Sequence, residues 1–485
     1  MKGMELMNTI LIVLDTWRRD HSGCYGSDWI HTPNINSFAA KSAVFENAYI
    51  ASYPTLPCRR DILTGRYEFP WRGWGGLEPD DKTLAGVVDE AGKVSYFMTD
   101  IYHHWSSNSG SGYWRPFTGF DIVRGQERDK YITDSDIEFE HRALGYPPHV
   151  RLKEPHFRNV QYIRREERDW FSPQLFSRAA RWIQHNADHE DFFLMIDSFD
   201  PHEPWDPPRH YTNLYADPDF DGKEYVVAPY GPVAENLTEA ELKHVQALYA
   251  GEISMVDRWF GHFMDQVEKM GLMDNTMIIL TTDHGTHNGS HGRTGKNWVL
   301  WEEISHIPLI IWHPQLGHGA RSKQLVQAID YFPTVMEVSG IDAPDGLHGQ
   351  SLIPLLEDPS AADDRDAILF GFFGGTCNLT DGEYVLFQGV ESSNPPLYSY
   401  SGIIDNKNAF DWNSGGSIRC QVKRKIVEER DRTRLYHLPS DPEQESNIAE
   451  THPEELLRMQ RLMIEKLGEI DAPEELNIRF GLGKI

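Results

Sequence analysis

At 485 residues the chain is longer than one hydrophobic core usually supports, so a large domain with a smaller companion is expected. Its 74 acidic side chains outnumber the 46 basic ones and leave a net charge of −28, which argues against nucleic acid or an anionic membrane as partner. Any anionic substrate would have to be drawn in by local positive charge, which a metal would supply. Four cysteines, Cys24, Cys58, Cys377 and Cys420, make no disulfide framework in so long a chain.

Taken in order, the first element is the β-branched run "TILIVL" (9–14), ending in Asp15. It is too short for a signal-peptide core and lacks a small-residue cleavage site, so it reads as a buried strand, and a cytoplasmic location is expected. No apolar run approaches a membrane span. The stretch from about 106 to 170 is polar, aromatic and rich in turn residues, and reads as an insertion over one face. Ser172-Pro173 offers an N-cap and first helical residue for a helix whose Leu175, Phe176, Ala179, Trp182 and Ile183 share a face. "FFLMIDSF" (192–199) is a second buried strand, leading to "DPHEPW". Thr238 and Glu241 form a capping box opening a long amphipathic helix that reaches Gly271. "MIILTT" (277–282) and "IPLIIW" (307–312) are two more strands, apolar on both faces as central parallel strands are.

This alternation predicts an α/β fold with a mostly parallel central sheet flanked by helices. Residues 1–370 form the catalytic domain on this reading. Residues 371–485, with short alternating strands, a turn-rich link and an amphipathic helix at 456–469, form a smaller C-terminal α+β subdomain. Ligands in such sheets bind beyond the carboxyl ends of the strands. Asp15, His202 and the pair Asp283-His284 all fall at or just past such ends.

In "TTDHGTHNGSHGRTGK" (281–296) a carboxylate and an imidazole follow a strand, with His291 and Lys296 after them. Carboxylate plus imidazole suits manganese, zinc or iron somewhat better than calcium. Each residue alone has an ordinary reading: Asp283 as turn chemistry, Asp15 as a helix cap or a partner of Arg18 or Arg19, His202 as a loop histidine, Lys296 as a solvated cation.

Together, in order and spacing, they resemble the sulfatase branch of the alkaline phosphatase superfamily, and the resemblance runs nearly end to end. It rests on "ILIVLDTWRRDHSGCYG" (10–26), T-x-P-x-R…T-G-R (55–66), "FDPHEPW" (199–205), D-H-G…H-G-x-x-x-K (283–296), "AIDYFPTVMEVSGI" (328–341) and "LYHLPSDPEQESNIA" (435–449). The resemblance implies an alkaline-phosphatase-like fold and one divalent metal (manganese, calcium or zinc) held by Asp15, Asp283 and His284, with the Thr55 oxygen completing the sphere. It gives Arg59 the orientation of the nucleophile. His202 and Lys296 would hold substrate oxygens, one of them protonating the leaving group, and His291 would be a weaker substrate or supporting contact.

Three departures refine this. Asp15-Thr16 stands where the family has two aspartates. "MTDIYHHW" (98–105) stands where it has G-K-x-H, with Asp100 at the lysine and His103 or His104 as substitute histidine. Thr55 stands where the family oxidises a cysteine to formylglycine, so no formylglycine is expected; "CRRDI" at Cys58 lacks the required spacing. These departures are closer to the phosphonate monoester hydrolase and phosphodiesterase side of the family. A threonine ester has no second hydroxyl with which to eliminate sulfate, so water must attack sulfur or phosphorus. The expectation is a metal-dependent hydrolase of a small anionic phospho- or sulfo-ester, foremost a phosphodiester or phosphonate monoester, with Thr55 as nucleophile. The alternatives are a sulfatase whose nucleophile position is substituted and a catalytically silent anion-binding protein. A homo-oligomer is compatible with either.

Overall fold

The computed structural model describes residues 7–106, 112–139, 143–144, 147–189, 191–296, 298–361, 365–401 and 418–484. Its centre is an eight-stranded sheet in the order Arg321–Gln327, Ala43–Tyr49, His306–Trp312, Thr276–Thr281, Asn8–Leu14, Phe193–Ser198, Ser95–Thr99 and Gly119–Ile122. Seven of the eight run parallel. His306–Trp312 is antiparallel to both of its neighbours, whereas "IPLIIW" was expected to be parallel. A strand apolar on both faces is buried whichever way it runs, so its composition does not encode direction.

Alternate residues of each strand feed two cores. Leu11, Val13, Met195 and Ile279 pack on one face with Leu56, Ile62, Tyr331 and Phe332, from the helices Thr55–Thr64 and Tyr331–Ser339. Ile10, Ile12, Leu194, Ile196 and Leu280 pack on the other with Phe176, Ala179, Leu248, Ile253 and Phe260, from the helices Phe171–Asn186 and Glu239–Lys269. The result is helix on sheet on helix, the layering that strand–helix alternation implies.

Helix ends follow their capping chemistry. The Glu239–Lys269 helix opens on the expected box, with Glu241 N–H donating to Thr238 Oγ1 at 3.2 Å and Thr238 N–H to Glu241 Oε2 at 2.9 Å. The helix expected to start at Pro173, with Ser172 as its cap, starts at Phe171 instead. There the Asp200 carboxylate accepts the Ser172 N–H at 3.1 Å, so the cap comes from a distant loop that no local pattern announces. The polar stretch 106–170 contains the edge strand Gly119–Ile122 and the helix Pro147–Ile163.

A second sheet of five strands runs Arg434–His437, Tyr384–Gln388, Cys377–Thr380, Ile368–Phe372 and Ser52–Tyr53. Met459, Met463 and Leu467 of the helix Pro453–Glu469 cover it, packing on Leu369, Leu379, Leu386 and Leu435. Its last strand comes from the N-terminal part of the chain, Ser52 aligning with Gly371, and ends two residues before Thr55. The small sheet thus anchors the entry to the Thr55 helix. Among the described residues no helix is long and apolar enough to cross a membrane.

Candidate active site

The site forms where the central parallel strands end. Asp15 directly follows Asn8–Leu14, and Asp197 lies near the end of Phe193–Ser198, in register with Val13. Asp283 and His284 follow Thr276–Thr281 by two and three residues. From the adjoining layer, Thr55 is the first residue of the helix Thr55–Thr64, whose N-terminal dipole favours negative charge on its oxygen. Cys58 Sγ donates to the Asp283 carbonyl at 3.2 Å, and Tyr113 Oη to the Leu56 carbonyl at 2.9 Å, fixing this helix against the strand ends.

Asp15, Asp283 and His284 are buried and each offers a ligand atom, all within 4.8 Å of one another. Thr55 Oγ1 lies 3.4 Å from His284 Nε2. Lys296 Nζ sits 3.2 Å from Thr55 Oγ1, 3.3 Å from His284 Nε2 and 3.9 Å from Asp15 Oδ1, so an ammonium stands among the same donors. His284 Nδ1 donates to the Gly285 carbonyl at 2.8 Å, which leaves the Nε2 lone pair for a ligand. Two carboxylates and this imidazole fit a divalent cation. The position of the second family aspartate is filled by Thr16, held at φ 66°, whose hydroxyl donates to Asp15 Oδ1 at 2.6 Å and whose N–H donates to Asp283 Oδ1 at 2.9 Å.

Arg59 is fully buried beneath this cluster and binds three carboxylates. It contacts Asp15 at 3.1 Å, Asp197 through both carboxylate oxygens at 2.9 and 3.2 Å, and Asp283 in a short ion pair; it also reaches the Thr55 carbonyl at 3.4 Å. A guanidinium held in this way ties the Thr55 helix to the strand ends and balances charge. With all groups ionised, three carboxylates face two cations, a deficit that a dication would reverse.

The acidities record this crowding. Burial, then repulsion from Asp283, pushes Asp15 up to about 7, against the pull of Arg59 and Lys296. Burial works to raise Asp283 as well, but Arg59, His284 and Lys296 outweigh it and hold that carboxyl below its usual range. Burial lowers His284 to about 3, so its imidazole is neutral and ready to ligate.

The structure separates the two histidines of the 98–105 segment. His104 is buried, and its Nε2 lies 2.8 Å from Asp197 Oδ2, on the far side of the Arg59 clamp. His103 lies nearer the surface, 3.2 Å from Glu127 and edge-on to Trp74. Asp100, at the family's lysine position, is buried and accepts the Phe199 N–H at 2.7 Å. His202 stacks on Phe199 at 4.1 Å, and its Nδ1 donates to the Glu203 carbonyl at 2.6 Å. His291 stacks on Trp301 at 3.8 Å and lies 3.5 Å from Glu303, contacts that explain its place without a substrate. Sequence reasoning did not single out Asp197; its signal was one charge inside the apolar run "FFLMIDSF".

Three comparisons bear on this geometry. The family model described as Sulfatase matches residues 7–341. An arylsulfatase of Clostridium perfringens is 23% identical over 95% of this chain and 94% of its own, and human arylsulfatase K is 24% identical over 92% and 80%. Among solved structures, the phosphonate monoester hydrolase of Agrobacterium radiobacter superposes with a TM-score of 0.71 at 18% identity, covering 96% of each chain. A second phosphonate monoester hydrolase, from Silicibacter pomeroyi, has a TM-score of 0.69 at 18% identity over 97% of this chain and 96% of its own. With the family model spanning most of its length and a metal-type donor set at the strand ends, the chain belongs to the sulfatase family of the alkaline phosphatase superfamily and is an ester-bond hydrolase.

Proposed function

We propose that the protein hydrolyses phosphodiesters or phosphonate monoesters with the Thr55 hydroxyl as its direct nucleophile. The observation that carries this reading is the placement of Thr55 Oγ1, at the N-terminus of a ten-residue helix, 3.2 Å from Lys296 Nζ and 3.4 Å from His284 Nε2. Asp15, Asp283 and His284 would hold one divalent ion, with Thr55 Oγ1 at its edge. When bound, such an ion would withdraw charge from the hydroxyl and from the ester oxygens. Thr55 gives its hydroxyl proton to solvent as it attacks phosphorus and takes one back from solvent when its ester is cleaved, while Lys296 and the helix dipole stabilise the alkoxide and the anion that builds on the reacting group. Arg59 keeps the first turn of the helix in register through the Thr55 carbonyl. His202 is assigned the proton delivered to the leaving oxygen. Water then attacks phosphorus to release Thr55.

Asp100 also supports a monoanionic substrate. Where relatives carry a lysine, this chain has a carboxyl tied to the Phe199 N–H, so one substrate-facing cation fewer is available. The relatives named as arylsulfatases favour a second reading, a sulfate ester in the same pocket. Metal-loaded protein offered a nitrophenyl phosphodiester, a nitrophenyl phosphonate and nitrophenyl sulfate separates the two. Preferred turnover of the phosphorus esters is expected; faster turnover of the sulfate would replace the first reading with the second. Ligand binding without turnover of any ester would leave an anion-binding protein.

A further inference from the structure

The Glu203 carboxylate joins two segments that are distant in sequence, one carrying His202 and the other leading into Lys296. Its Oε2 lies 3.1 Å from His202 Nδ1, and its Oε1 accepts the Tyr230 hydroxyl in a short hydrogen bond. Glu203 is only 5% exposed, so this charge is held within the protein. Tyr230 in turn lies against Gly295, the residue before Lys296. A Cβ placed on Gly295, which adopts φ +78°, would fall 2.2 Å from Tyr230 Cδ1. One carboxylate thereby links the imidazole of His202 to the segment presenting Lys296. The titratable groups facing it are His202, Tyr230 and Tyr53, with Glu127 beyond Tyr230 and with Asp15 and Asp283 beyond Tyr53.

We propose that Glu203, supported by Tyr230, is a positioning residue for leaving-group protonation. This rests on the assignment of His202 as the acid. The Glu203 carbonyl accepts a hydrogen bond from Nδ1–H, which commits Nε2 to proton transfer, and the carboxylate stabilises the imidazolium. As the bond from phosphorus to the leaving oxygen breaks, its electron pair stays on that oxygen and the Nε2 proton moves to it. The imidazole is left neutral with Nδ1–H still held. The water that cleaves the Thr55 ester returns a proton to Nε2. Stacking on Phe199, whose N–H is pinned by Asp100, keeps the ring in plane for both transfers.

The test uses the full-length, metal-loaded chain and one phosphonate carried on 4-nitrophenol, phenol and an aliphatic alcohol. In Glu203→Gln the loss should grow with leaving-group basicity, from several-fold on the nitrophenyl ester to about 100-fold on the phenyl ester. Glu203→Asp should restore part of it, and Tyr230→Phe should show a smaller loss in the same order. Independently of turnover, the His202 imidazole followed by NMR should titrate about one pH unit lower in Glu203→Gln than in the parent. An equal loss on all three esters, or an unmoved His202 midpoint, would overturn the proposal. Failure of the parent to cleave any ester would instead remove the hydrolase reading, and the NMR midpoint would still decide whether Glu203 holds His202.

Discussion

Among the described residues of the site, Lys296 is the cation that touches Thr55 Oγ1, the oxygen proposed as nucleophile, since Arg59 is saturated by three aspartates. Lys296→Ala should therefore cut turnover by about 10²–10³, or roughly 2.7–4 kcal/mol of barrier. The thermal midpoint should hardly move, because the side chain is partly exposed and leaves no buried partner without compensation. Steady-state kinetics beside a melting curve read both. Asp15 makes a second prediction, on pH. Its pKa is raised to about 7 by burial and by Asp283, so below that pH a proton competes with the cation for the same oxygens. His284, lowered to about 3 by burial, stays neutral across that range. Metal affinity measured by calorimetry should thus rise with pH up to about 7 and level off above it; an affinity flat from pH 5 to 8 would contradict the arrangement. The motifs that resemble one family named Asp15, Thr55, Arg59, Asp283, His284 and Lys296 together, and the structure brings these six side chains into one cluster. Asp197 and His104 were harder to read. Their roles arise from contacts with Arg59 and with each other across long sequence separations.

The Thr55–Thr64 helix depends on what holds its two ends. At its C-terminus Gly65 takes φ 64° and donates to the Asp61 carbonyl. The fully buried Asp61 carboxylate accepts the Ser52 N–H and hydroxyl and the Glu68 N–H, tying the helix to the strand that enters it. Asp61→Ala would leave the Ser52 N–H and hydroxyl without this acceptor, while the Glu68 N–H keeps Ser52 Oγ at 3.0 Å, at a cost of about 2–4 kcal/mol. The denaturation midpoint should fall by a corresponding amount, and turnover should fall with it, since the same strand leads into Thr55. An unchanged midpoint would show that water replaces the carboxylate. Elements with their own local signal were well read: the Thr238–Glu241 box specifies its helix start from four residues. The Phe171 helix start and the reversed His306–Trp312 strand were not, because the first is capped by Asp200 and the second is oriented by its neighbours.

For the whole molecule, a net charge of −28 means that the anionic ester proposed as substrate has to be drawn in locally. Helix Thr55–Thr64, Lys296 and the dication proposed for Asp15, Asp283 and His284 would supply that attraction at one point above the parallel strands. The layered fold follows from the strand–helix alternation in the sequence, while the pairing of Ser52–Tyr53 with Ile368–Phe372 is a long-range contact between two-residue stretches that no local period marks. That contact lets the small sheet help position Thr55. The account stands or falls on Thr55, and the most direct measurement is the turnover of a nitrophenyl phosphodiester by Thr55→Ala at saturating metal, with Thr55→Ser beside it. Thr55→Ala should be inactive while keeping its fold and metal, and Thr55→Ser should retain a measurable fraction because the hydroxyl persists without the methyl that stiffens its rotamer. Turnover by Thr55→Ala at the parent's rate would make the threonine a spectator and contradict the account.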